Sequence, residues 1–514
     1  MPCTEEAEPA QSDLQIRPGL LMVSLAVLTF AVCYLRLFVL PSTPLLLWGD
    51  APGYAAKGVR LLGGELPYRD FFEFLTPGTD IVYALLFRWF GVSLWMMHVV
   101  MATLAALSTL WITWCASRLV RGWFVILPAL LLTGIVLCYS LDSTHHWFST
   151  VALMGAVWVL FDRRSLVRVA AAGVFCGVAA SFTQTKGAAA VIALVAYFIW
   201  ISKREKDQTG LWLRRSLVLC GSALAVFAVI NGPLVFASGT GRWAWDVMVF
   251  PVRYFGSSSA NNSTGALAQF LTVTGWLKWI CFPFVYLVTP LTYIYFFVRL
   301  RGAKTEQHEP WDQLVLVAVV GIAMLAAIAP ALSIRRVSTV SPPAMLLLTW
   351  LLSKQGKVRT AVGLGAISTA VVLAQIAVTQ LKQHQMLDLP VGRVAIPPKA
   401  DYYDVYRWMA ENTKPGQWYF GLAPLALGLD LRNATPMAEI STGEYTRPEQ
   451  VDAIVQGIER VKVPVIVLRS QMYSPSSQNR LADHLQPFRD YLYLHYRKVK
   501  SFSSGDEIWE RAGK

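Results

Sequence analysis

Residues 48–78 read WGDAPGYAAKGVRLLGGELPYRDFFEFLTPG and follow a long apolar run that begins near residue 19. The stretch is rich in Gly, Pro, aromatic and acidic residues, a composition typical of a loop and not of a membrane span. Apolar residues continue almost to Asp50, so its carboxylate is predicted to lie at the membrane surface. At that position it lies at the depth of the lipid headgroups.

The composition around this loop is that of a polytopic membrane protein. Of the 514 residues 55% are hydrophobic and only 15% are charged, whereas soluble domains are about 25% charged. Runs long enough to cross roughly 30 Å of hydrocarbon as helices fall at 19–40, 93–117, 122–140, 147–161, 169–184, 187–201, 215–236, 273–298, 313–331, 337–353 and 360–380. We therefore predict an all-α polytopic membrane protein with about eleven transmembrane helices. Because no small-residue cleavage site follows the first run, it is interpreted as an uncleaved span.

The segment 79–92 is interpreted as a helix lying in the membrane interface. It is apolar enough to be considered a span, but Asp80 and Arg88 would be costly at membrane depth.

The distribution of Lys and Arg predicts the orientation, because cytoplasmic loops retain positive charge. Alternate loops carry the basic residues Arg118, Arg121, Arg163, Arg164, Arg168, Lys203, Arg204, Lys206, Arg214, Arg215, Arg299, Arg301, Lys304, Lys354, Lys357 and Arg359. We therefore expect a cytoplasmic amino-terminal tail, 1–18. The loop 41–92 and the region after 380 are expected on the periplasmic or extracellular side of the plasma (inner) membrane.

Charge and cysteine content argue against nucleic-acid, disulfide and CxxC metal sites. The net charge is +13, but residues 381–514 contain 17 Lys plus Arg against 15 Asp plus Glu, so +11 belongs to the membrane region. No basic tract with interleaved aromatics follows residue 380, which argues against a nucleic-acid partner. None of the seven cysteines lies after residue 380, and no CxxC motif occurs.

The sequence after residue 380 predicts a soluble α/β domain, 381–514, which follows the membrane domain 19–380. Helical spacing covers 401–411, and a second helix is predicted to begin at Pro448 and end at Val461. The continuous β-branched run VPVIVL, 463–468, favours a buried strand. A short strand is expected at 417–421, and 491–509 is expected to supply two more around a Ser-Ser-Gly turn.

The loop motif resembles a known family. An aspartate, Asp50, is followed by an aromatic residue at helical spacing, Tyr54, then by a Gly-Gly turn, by Tyr68 and Asp70 in a Pro-Tyr-x-Asp order, and by Pro-Gly. This order resembles the first external loop of the GT-C membrane glycosyltransferases, the class that contains protein O-mannosyltransferases and the aminoarabinose transferase of lipid A. The resemblance covers about residues 15–200 in motif order and the whole chain in layout.

The resemblance implies a polyprenyl-phosphate-linked sugar donor and an active site facing away from the cytoplasm. Asp50 would then take the place of the family's loop aspartate, which acts as general base or organises the site. An acceptor hydroxyl is a poor nucleophile until a positioned carboxylate removes its proton. The alternative for Asp50 is a helix N-cap. The alternative for Tyr68 and Asp70, which are candidate substrate-binding residues, is loop packing.

The second external loop carries Asp142, His145 and His146. Relatives in the class have a second acidic residue in the corresponding loop, and Asp142 matches it by position. Adjacent histidines beside an aspartate leave a divalent metal open as an alternative. Neighbouring residues converge poorly on one ion, so we favour hydrogen bonding to substrate or loop backbone for His145 and His146. No cofactor is otherwise predicted.

Three basic residues are predicted to face outward, against the charge rule. They are Lys186, in a small-residue context similar to that of relatives, and the pair Arg335 and Arg336. A cation that lies at headgroup depth on the outer side of the membrane, where Lys and Arg are disfavoured, is a candidate ligand of the donor phosphate. The alternative is that these side chains reach lipid headgroups.

Together these features predict a glycosyltransferase of the cell envelope, either hexosyl- or pentosyl-, acting on an extracytoplasmic glycan, lipid or protein acceptor. No Gly-rich nucleotide loop lies between a strand and a helix, which favours a lipid-linked donor over a nucleotide sugar. One rival is a polymerase or ligase of lipid-linked glycans. A second, a lipid-linked sugar transporter or flippase, is disfavoured because the charges gather at helix ends and not at the bilayer midplane.

Overall fold

The structure is a computed structural model of the chain. It describes residues 18–46, 49–206, 210–255, 270–271, 273, 275–302, 309–329, 332–397, 400, 402–440, 446–470 and 484–513. The amino-terminal tail 1–17 lies outside these ranges.

The described residues from Pro18 to Leu381 form a helical body. Its helices are α1 (Pro18–Leu37), α2 (Asp50–Leu62), α3 (Gly78–Phe90), α4 (Leu94–Leu119), α5 (Leu127–Gly134), α6 (His145–Phe161), α7 (Leu166–Phe182), α8 (Gln184–Glu205), α9 (Leu211–Ser238), α10 (Thr240–Ala244), α11 (Lys278–Gly302), α12 (Trp311–Ala327), α13 (Ile334–Val340), α14 (Pro342–Lys354) and α15 (Val358–Leu381). A short hairpin, β1 (Phe38–Val39) with β2 (Thr43–Pro44), follows α1.

Within the described ranges, six helices are long and apolar enough to cross a membrane: α1, α4, α8, α9, α11 and α15. The region Gly122–Cys138, which contains α5, and the helices α6, α7 and α12 are apolar but only 10–17 residues long. The protein is therefore an integral membrane protein, and the count of eleven spans stays a prediction. The 13 residues of α3 extend about 20 Å at 1.5 Å per residue, less than the hydrocarbon thickness, which supports the interfacial interpretation.

Small residues allow close helix packing beside the loop. Gly173 and Gly177 of α7, a GxxxG pair, face α9, where a β-carbon on Gly177 would come within 2.5 Å of the Ala223 carbonyl oxygen. Such small-residue seams let backbones of membrane helices approach closely. The end of α7 also anchors the loop, because the Thr76 hydroxyl donates to the Ala180 carbonyl at 2.7 Å.

Beyond α15 the chain forms a hairpin and then an α/β layer. The hairpin pairs β3 (Gln385–Leu389) with β4 (Gly392–Ile396). The helices that follow are α16 (Tyr403–Asn412), α17 (Ala423–Gly428), α18 (Pro448–Val461) and α19 (Gln486–His495). The strands are β5 (Trp418–Gly421), β6 (Arg432–Asn433), β7 (Val465–Arg469), β8 (Tyr496–Ser501) and β9 (Asp506–Arg511), in the order β6-β5-β7-β9-β8. β5 is parallel to β6 and β7, whereas β9 is antiparallel to β7 and β8.

The α/β domain docks onto the first loop of the helical body. Arg60 donates to the Thr435 carbonyl at 3.1 Å, and the Phe72 amide donates to the Pro436 carbonyl at 2.9 Å. Near the hairpin, the Leu46 amide donates to the Ala395 carbonyl at 2.8 Å. The domain therefore lies over the loop 41–92, which carries Asp50.

Candidate active site

Asp50 lies at the first position of α2, with its side chain exposed. The residue preceding it, Gly49, is the N-cap and has φ +140°, and no side chain caps this end of the helix. Asp50 is thus not the N-cap that one interpretation of the sequence proposed. Tyr54 and Lys57 follow at helical spacing, so the three side chains occupy one face of α2.

Asp142 lies in the turn between the short helical turn Val136–Cys138 and α6. Tyr83 and Ser143 fix this turn, because the Tyr83 hydroxyl donates to the Ser143 carbonyl at 2.8 Å and the Ser143 hydroxyl donates to the Met97 carbonyl at 3.1 Å. Burial, and after it the charge of Asp50, raises the pKa of Asp142 to about 6, although Arg335 acts to lower it. Asp50 and Asp142 therefore belong to one electrostatic site.

Arg335 and Arg336 lie at the start of α13, which Ser333 caps by accepting from the Arg336 amide. A β-carbon on Gly49 would come within 3.2 Å of Arg335 Nη1, so this guanidinium lies directly beside the backbone that carries Asp50. The Ser140 hydroxyl donates to the Arg335 carbonyl at 3.1 Å and ties α13 to the Asp142 turn.

Arg336 interacts electrostatically with Tyr54, with both histidines and with Lys186. His145 begins α6, and its ring lies 5.2 Å from that of Tyr54 and 3.9 Å from that of His146. The structure thus brings Asp50, Tyr54, Asp142, both histidines, Lys186 and both arginines into one cluster.

Within this cluster Lys186 is the buried member and does not lie at the surface. Its side chain is fully buried, and Nζ donates to the His146 carbonyl at 3.0 Å and to the hydroxyls of Thr150 and Thr339 at 3.3 Å each. Three acceptors match the three donors of an ammonium group. The position favours a contribution of positive potential to the site over a direct contact with a substrate phosphate.

Tyr68 and Asp70 are not brought into this cluster. The Tyr68 side chain is buried and its hydroxyl donates to the Leu75 carbonyl at 2.5 Å, while its φ of +68° belongs to a tight turn. Asp70 accepts from the Leu66 amide at 2.8 Å and pairs with Arg69. These contacts favour the loop-packing alternative for both residues.

The metal alternative finds little support in this geometry. Among the residues that the structure describes, no three His, Cys, Asp or Glu side chains are arranged to hold a metal ion. The described residues thus offer no ligand set, and the chemistry below assigns no role to a metal.

Sequence reasoning missed a buried charge cluster around Lys57, two turns along α2 from Asp50. Lys57 forms an ion pair with Glu73, whose other carboxylate oxygen accepts from the Phe74 and Leu75 amides at 2.9 and 3.0 Å. Asp80 lies against this pair; burial, and after it the charge of Glu73, raises its pKa well above the ordinary value. The sequence did contain one signal for Lys57, because its helical spacing from Asp50 predicts that the two side chains share a face of the helix.

The α/β domain adds Glu439, which sequence reasoning also missed. Burial, and after it the charge of Asp50, raises the pKa of the Glu439 carboxyl, while Arg469 and Lys57 act to lower it. Only the docking of the domain brings this residue near Asp50, so no local sequence pattern could have indicated it.

Comparison with known proteins gives a likeness in structure only. No protein-family model and no curated protein matches the sequence. ArnT from Cupriavidus metallidurans bound to undecaprenyl phosphate matches with a TM-score of 0.57 and 13% identity over 96% of this chain and 98% of that chain. Its apo state matches with a TM-score of 0.57 and 13% identity over 95% and 97%.

A second solved structure shares the architecture. It is the archaeal oligosaccharyltransferase AglB from Archaeoglobus fulgidus, in complex with an inhibitory peptide and a dolichol-phosphate. Here the TM-score is 0.52 and the identity 11%, over 96% of this chain and 74% of that chain. At these identities the likeness concerns the fold, and it confirms the resemblance to the GT-C glycosyltransferases at that level.

Proposed function

We propose that this protein is an integral membrane glycosyltransferase that moves a sugar from a polyprenyl-phosphate donor to an acceptor hydroxyl outside the cytoplasm. The observation that carries the proposal is the cluster in which Asp50 and Asp142 meet Arg335 and Arg336, on a fold shared with ArnT and AglB. The structures of those two proteins hold undecaprenyl phosphate and a dolichol-phosphate. Both ligands are the kind of lipid carrier that the proposal requires.

The chemistry follows from the arrangement of charges. Asp50 takes the proton of the acceptor hydroxyl while that oxygen forms a bond to the anomeric carbon of the sugar. The bond between the anomeric carbon and the phosphate oxygen breaks, and its electron pair stays on the lipid phosphate. A single displacement of this kind inverts the anomeric centre. The phosphate needs little protonation as it leaves.

Arg335 and Arg336 would bind the donor phosphate. A guanidinium can hold a phosphate through paired charge-assisted hydrogen bonds, and its charge offsets the charge that accumulates on the leaving group. Lys186, buried within the cluster, would add positive potential and hold the His145–His146 turn in place through the His146 carbonyl.

Asp142 would serve as the second acidic group. Because Asp142 interacts electrostatically with both Asp50 and Arg335, it would hold Arg335 in place and keep a negative potential near the sugar. Tyr54 and the two histidines, which line the same cluster, would contact the donor sugar. The site would face the periplasm or cell exterior, in keeping with the distribution of Lys and Arg in the loops.

Transfer from a panel of radiolabelled polyprenyl-phosphate hexoses and pentoses tests the proposal. We expect Asp50→Asn to lower turnover by at least about a hundredfold, the scale of a lost general base, while the thermal unfolding midpoint stays close to that of the wild type. Asp404→Asn, a change of an exposed carboxylate on α16, serves as the matched control and is expected to retain activity.

Two outcomes would contradict the proposal. Full activity of the Asp50→Asn protein would remove this carboxylate from the mechanism. Movement of the intact donor across vesicles, without a glycosylated product, would indicate a flippase.

A further inference from the structure

The turn that carries Asp142 is held at both of its ends. At its carboxyl end, the Tyr83 hydroxyl lies 2.8 Å from the Ser143 carbonyl and 2.5 Å from the Ser143 hydroxyl. At its amino end, the Ser140 hydroxyl donates to the Arg335 carbonyl at 3.1 Å. Tyr83, Ser140 and Ser143 are almost completely buried, and hydrogen bonds are stronger in such a low dielectric. The position of Asp142 is therefore fixed from two sides.

The helix that carries Tyr83, α3, packs directly against α2, the helix that begins at Asp50. A β-carbon on Gly58 of α2 would come within 2.8 Å of the Tyr83 β-carbon, so the two helices approach each other as closely as glycine allows. The segment just before α3 is anchored to α7, because the Thr76 hydroxyl donates to the Ala180 carbonyl at 2.7 Å. The backbone from which the Tyr83 side chain extends is therefore fixed relative to α2 and α7.

Together these contacts link the elements of the site in a circle. The Tyr83 hydroxyl joins α3 to the turn 140–143, and the turn is bonded to Arg335 of α13. Arg335 leads back to α2, because its Nη1 lies 3.2 Å from the place of a β-carbon on Gly49, next to the first residue of that helix. Both carboxylates of the site are attached to elements of this circle. Its geometry therefore sets the separation between them.

The aromatic ring of Tyr83 is held independently of its hydroxyl. It lies 5.7 Å from the Phe87 ring in a stacked arrangement and 6.5 Å from the Phe148 ring in an edge-on arrangement. Aromatic pairs at such distances are favourable in these two geometries. Removing the hydroxyl alone should therefore leave the ring in place and release only the turn.

We propose that Tyr83 is a positioning residue of the transfer reaction, whose hydroxyl holds Asp142 at the separation from Asp50 that transfer requires. This inference rests on the proposed function, because it takes the two carboxylates as members of the active site. Tyr83 is fully buried, so it acts through Ser143, the neighbour of Asp142 in the turn, and not by touching substrate. Displacement of a group in an active site by about 1 Å can lower a rate about a hundredfold.

Transfer kinetics of Tyr83→Phe test the inference. We expect kcat to fall about tenfold, the scale of one hydrogen bond whose loss is expressed in the transition state. Burial is the largest cause of the raised pKa of Asp142, so the released carboxyl should move the acid limb of kcat/KM from about pH 6 to lower pH. Tyr406→Phe removes another buried tyrosine hydrogen bond, to the Pro424 carbonyl at 2.7 Å in the α/β domain. As the matched control it should lose stability but keep kcat and the acid limb.

A double-mutant cycle shows whether Tyr83 acts through Asp142. Asp50 and Arg335 are the charged groups that act on the Asp142 carboxyl, and Asp142→Asn removes their effect on it. Adding Tyr83→Phe to Asp142→Asn should therefore lower kcat by less than about twofold, because coupled residues are not additive. An equal loss of kcat in both backgrounds, or an unmoved acid limb in Tyr83→Phe, would overturn the inference. If Tyr83→Phe does not fold, Ser143→Ala replaces it with the same expectations.

Thermal unfolding separates failure of this inference from failure of the proposed function. The ionised Asp142 carboxylate is disfavoured in the fold above about pH 6, so Asp142→Asn should raise the unfolding midpoint above pH 7. We expect a smaller gain in the Tyr83→Phe background, because the released carboxylate is better hydrated. If the wild type makes no product, the proposed function fails. A smaller gain then still supports the hold of Tyr83 on Asp142, and an equal gain overturns it. If the wild type transfers sugar and Tyr83→Phe behaves identically, the inference is wrong and the proposed function stands.

Discussion

At the scale of single residues, the two aspartates of the site differ in their surroundings. Asp50 is exposed, whereas Asp142 is partly buried and has its pKa raised to about 6 by burial and by the charge of Asp50. We therefore expect kcat/KM to fall as the pH decreases through about 6, because Asp142 becomes protonated and no longer opposes Arg335. The pH–rate profile of the wild type should show this acid limb, and that of Asp142→Asn should lack it. Identical acid limbs in both proteins would contradict the assignment.

The raised pKa of Asp142 also makes the stability of the fold depend on pH. A carboxyl whose pKa is raised in the folded state favours the protonated form, so its unfavourable contribution develops as the pH rises from 3.8, the ordinary pKa, to about 6 and is complete above that pH. Asp142→Asn should therefore leave the unfolding midpoint unchanged near pH 4 and raise it above pH 7. Thermal unfolding at the two pH values measures the difference.

The buried acids Glu73 and Asp80 should respond differently to neutral isosteres. Glu73 pairs with Lys57, and removing one partner of a buried pair leaves a charge uncompensated, at a cost of roughly 3 kcal/mol. Burial, and after it the charge of Glu73, raises the pKa of Asp80 well above its ordinary value, so the site disfavours the charged form of this carboxyl and should tolerate an uncharged amide. We expect Glu73→Gln to lower the unfolding midpoint clearly and Asp80→Asn to change it little at pH 7. Equal losses would show that Asp80 is ionised in the fold.

At the scale of elements, the contact between α7 and α9 depends on the absence of side chains. A β-carbon on Gly177 would come within 2.5 Å of the Ala223 carbonyl oxygen, whereas one on Gly221, also in a helix, meets nothing within 4 Å. Gly→Ala raises helix propensity by about 1 kcal/mol at either position, so only the packing differs. We expect Gly177→Ala to destabilise the protein and Gly221→Ala to stabilise it slightly, as measured by thermal unfolding in detergent. A similar change for both would contradict close packing at Gly177.

The helices and strands followed largely from the sequence, because their signals are local. Pro448 begins a helix that ends at Val461, as predicted, since Pro suits the first helical turn. The β-branched run 463–468 was predicted as a buried strand, and most of it lies in the central strand β7. The number of spans was harder to predict, because helices of 10–17 residues carry a hydropathy signal without the length to cross a membrane alone.

The site was predicted less completely, because charges meet there across long stretches of chain. Asp50 and Asp142 could be singled out from loop position, and the structure brings them together with Arg335. The Pro-Tyr-x-Asp motif of the same loop instead stabilises the loop itself. The Tyr68 hydroxyl donates to the Leu75 carbonyl, and Asp70 accepts from the Leu66 amide and pairs with Arg69. Glu439 carries no motif, and only tertiary docking brings it near Asp50.

At the scale of the whole molecule, the α/β domain must remain docked on the first loop for Glu439 to reach Asp50. Arg60 links the α/β domain to the first loop. Its guanidinium donates to the Thr435 carbonyl of the domain at 3.1 Å and pairs with Glu65 of the loop. Its guanidinium also lies over the Phe71 ring at 4.6 Å. The side chain is only 14% exposed, so this contact is shielded from solvent.

Arg60→Met keeps the aliphatic stem and removes the hydrogen bonds. We expect faster amide hydrogen exchange in 432–440 and in Phe72, whose amide bonds to Pro436, because local opening becomes easier when docking contacts are lost. Arg69→Met is the matched control, since Arg69 is an exposed residue of the same loop that pairs with the adjacent Asp70. Equal exchange in the two variants would mean that the domain is held by its other contacts, and that Arg60 does not control the distance between Glu439 and Asp50.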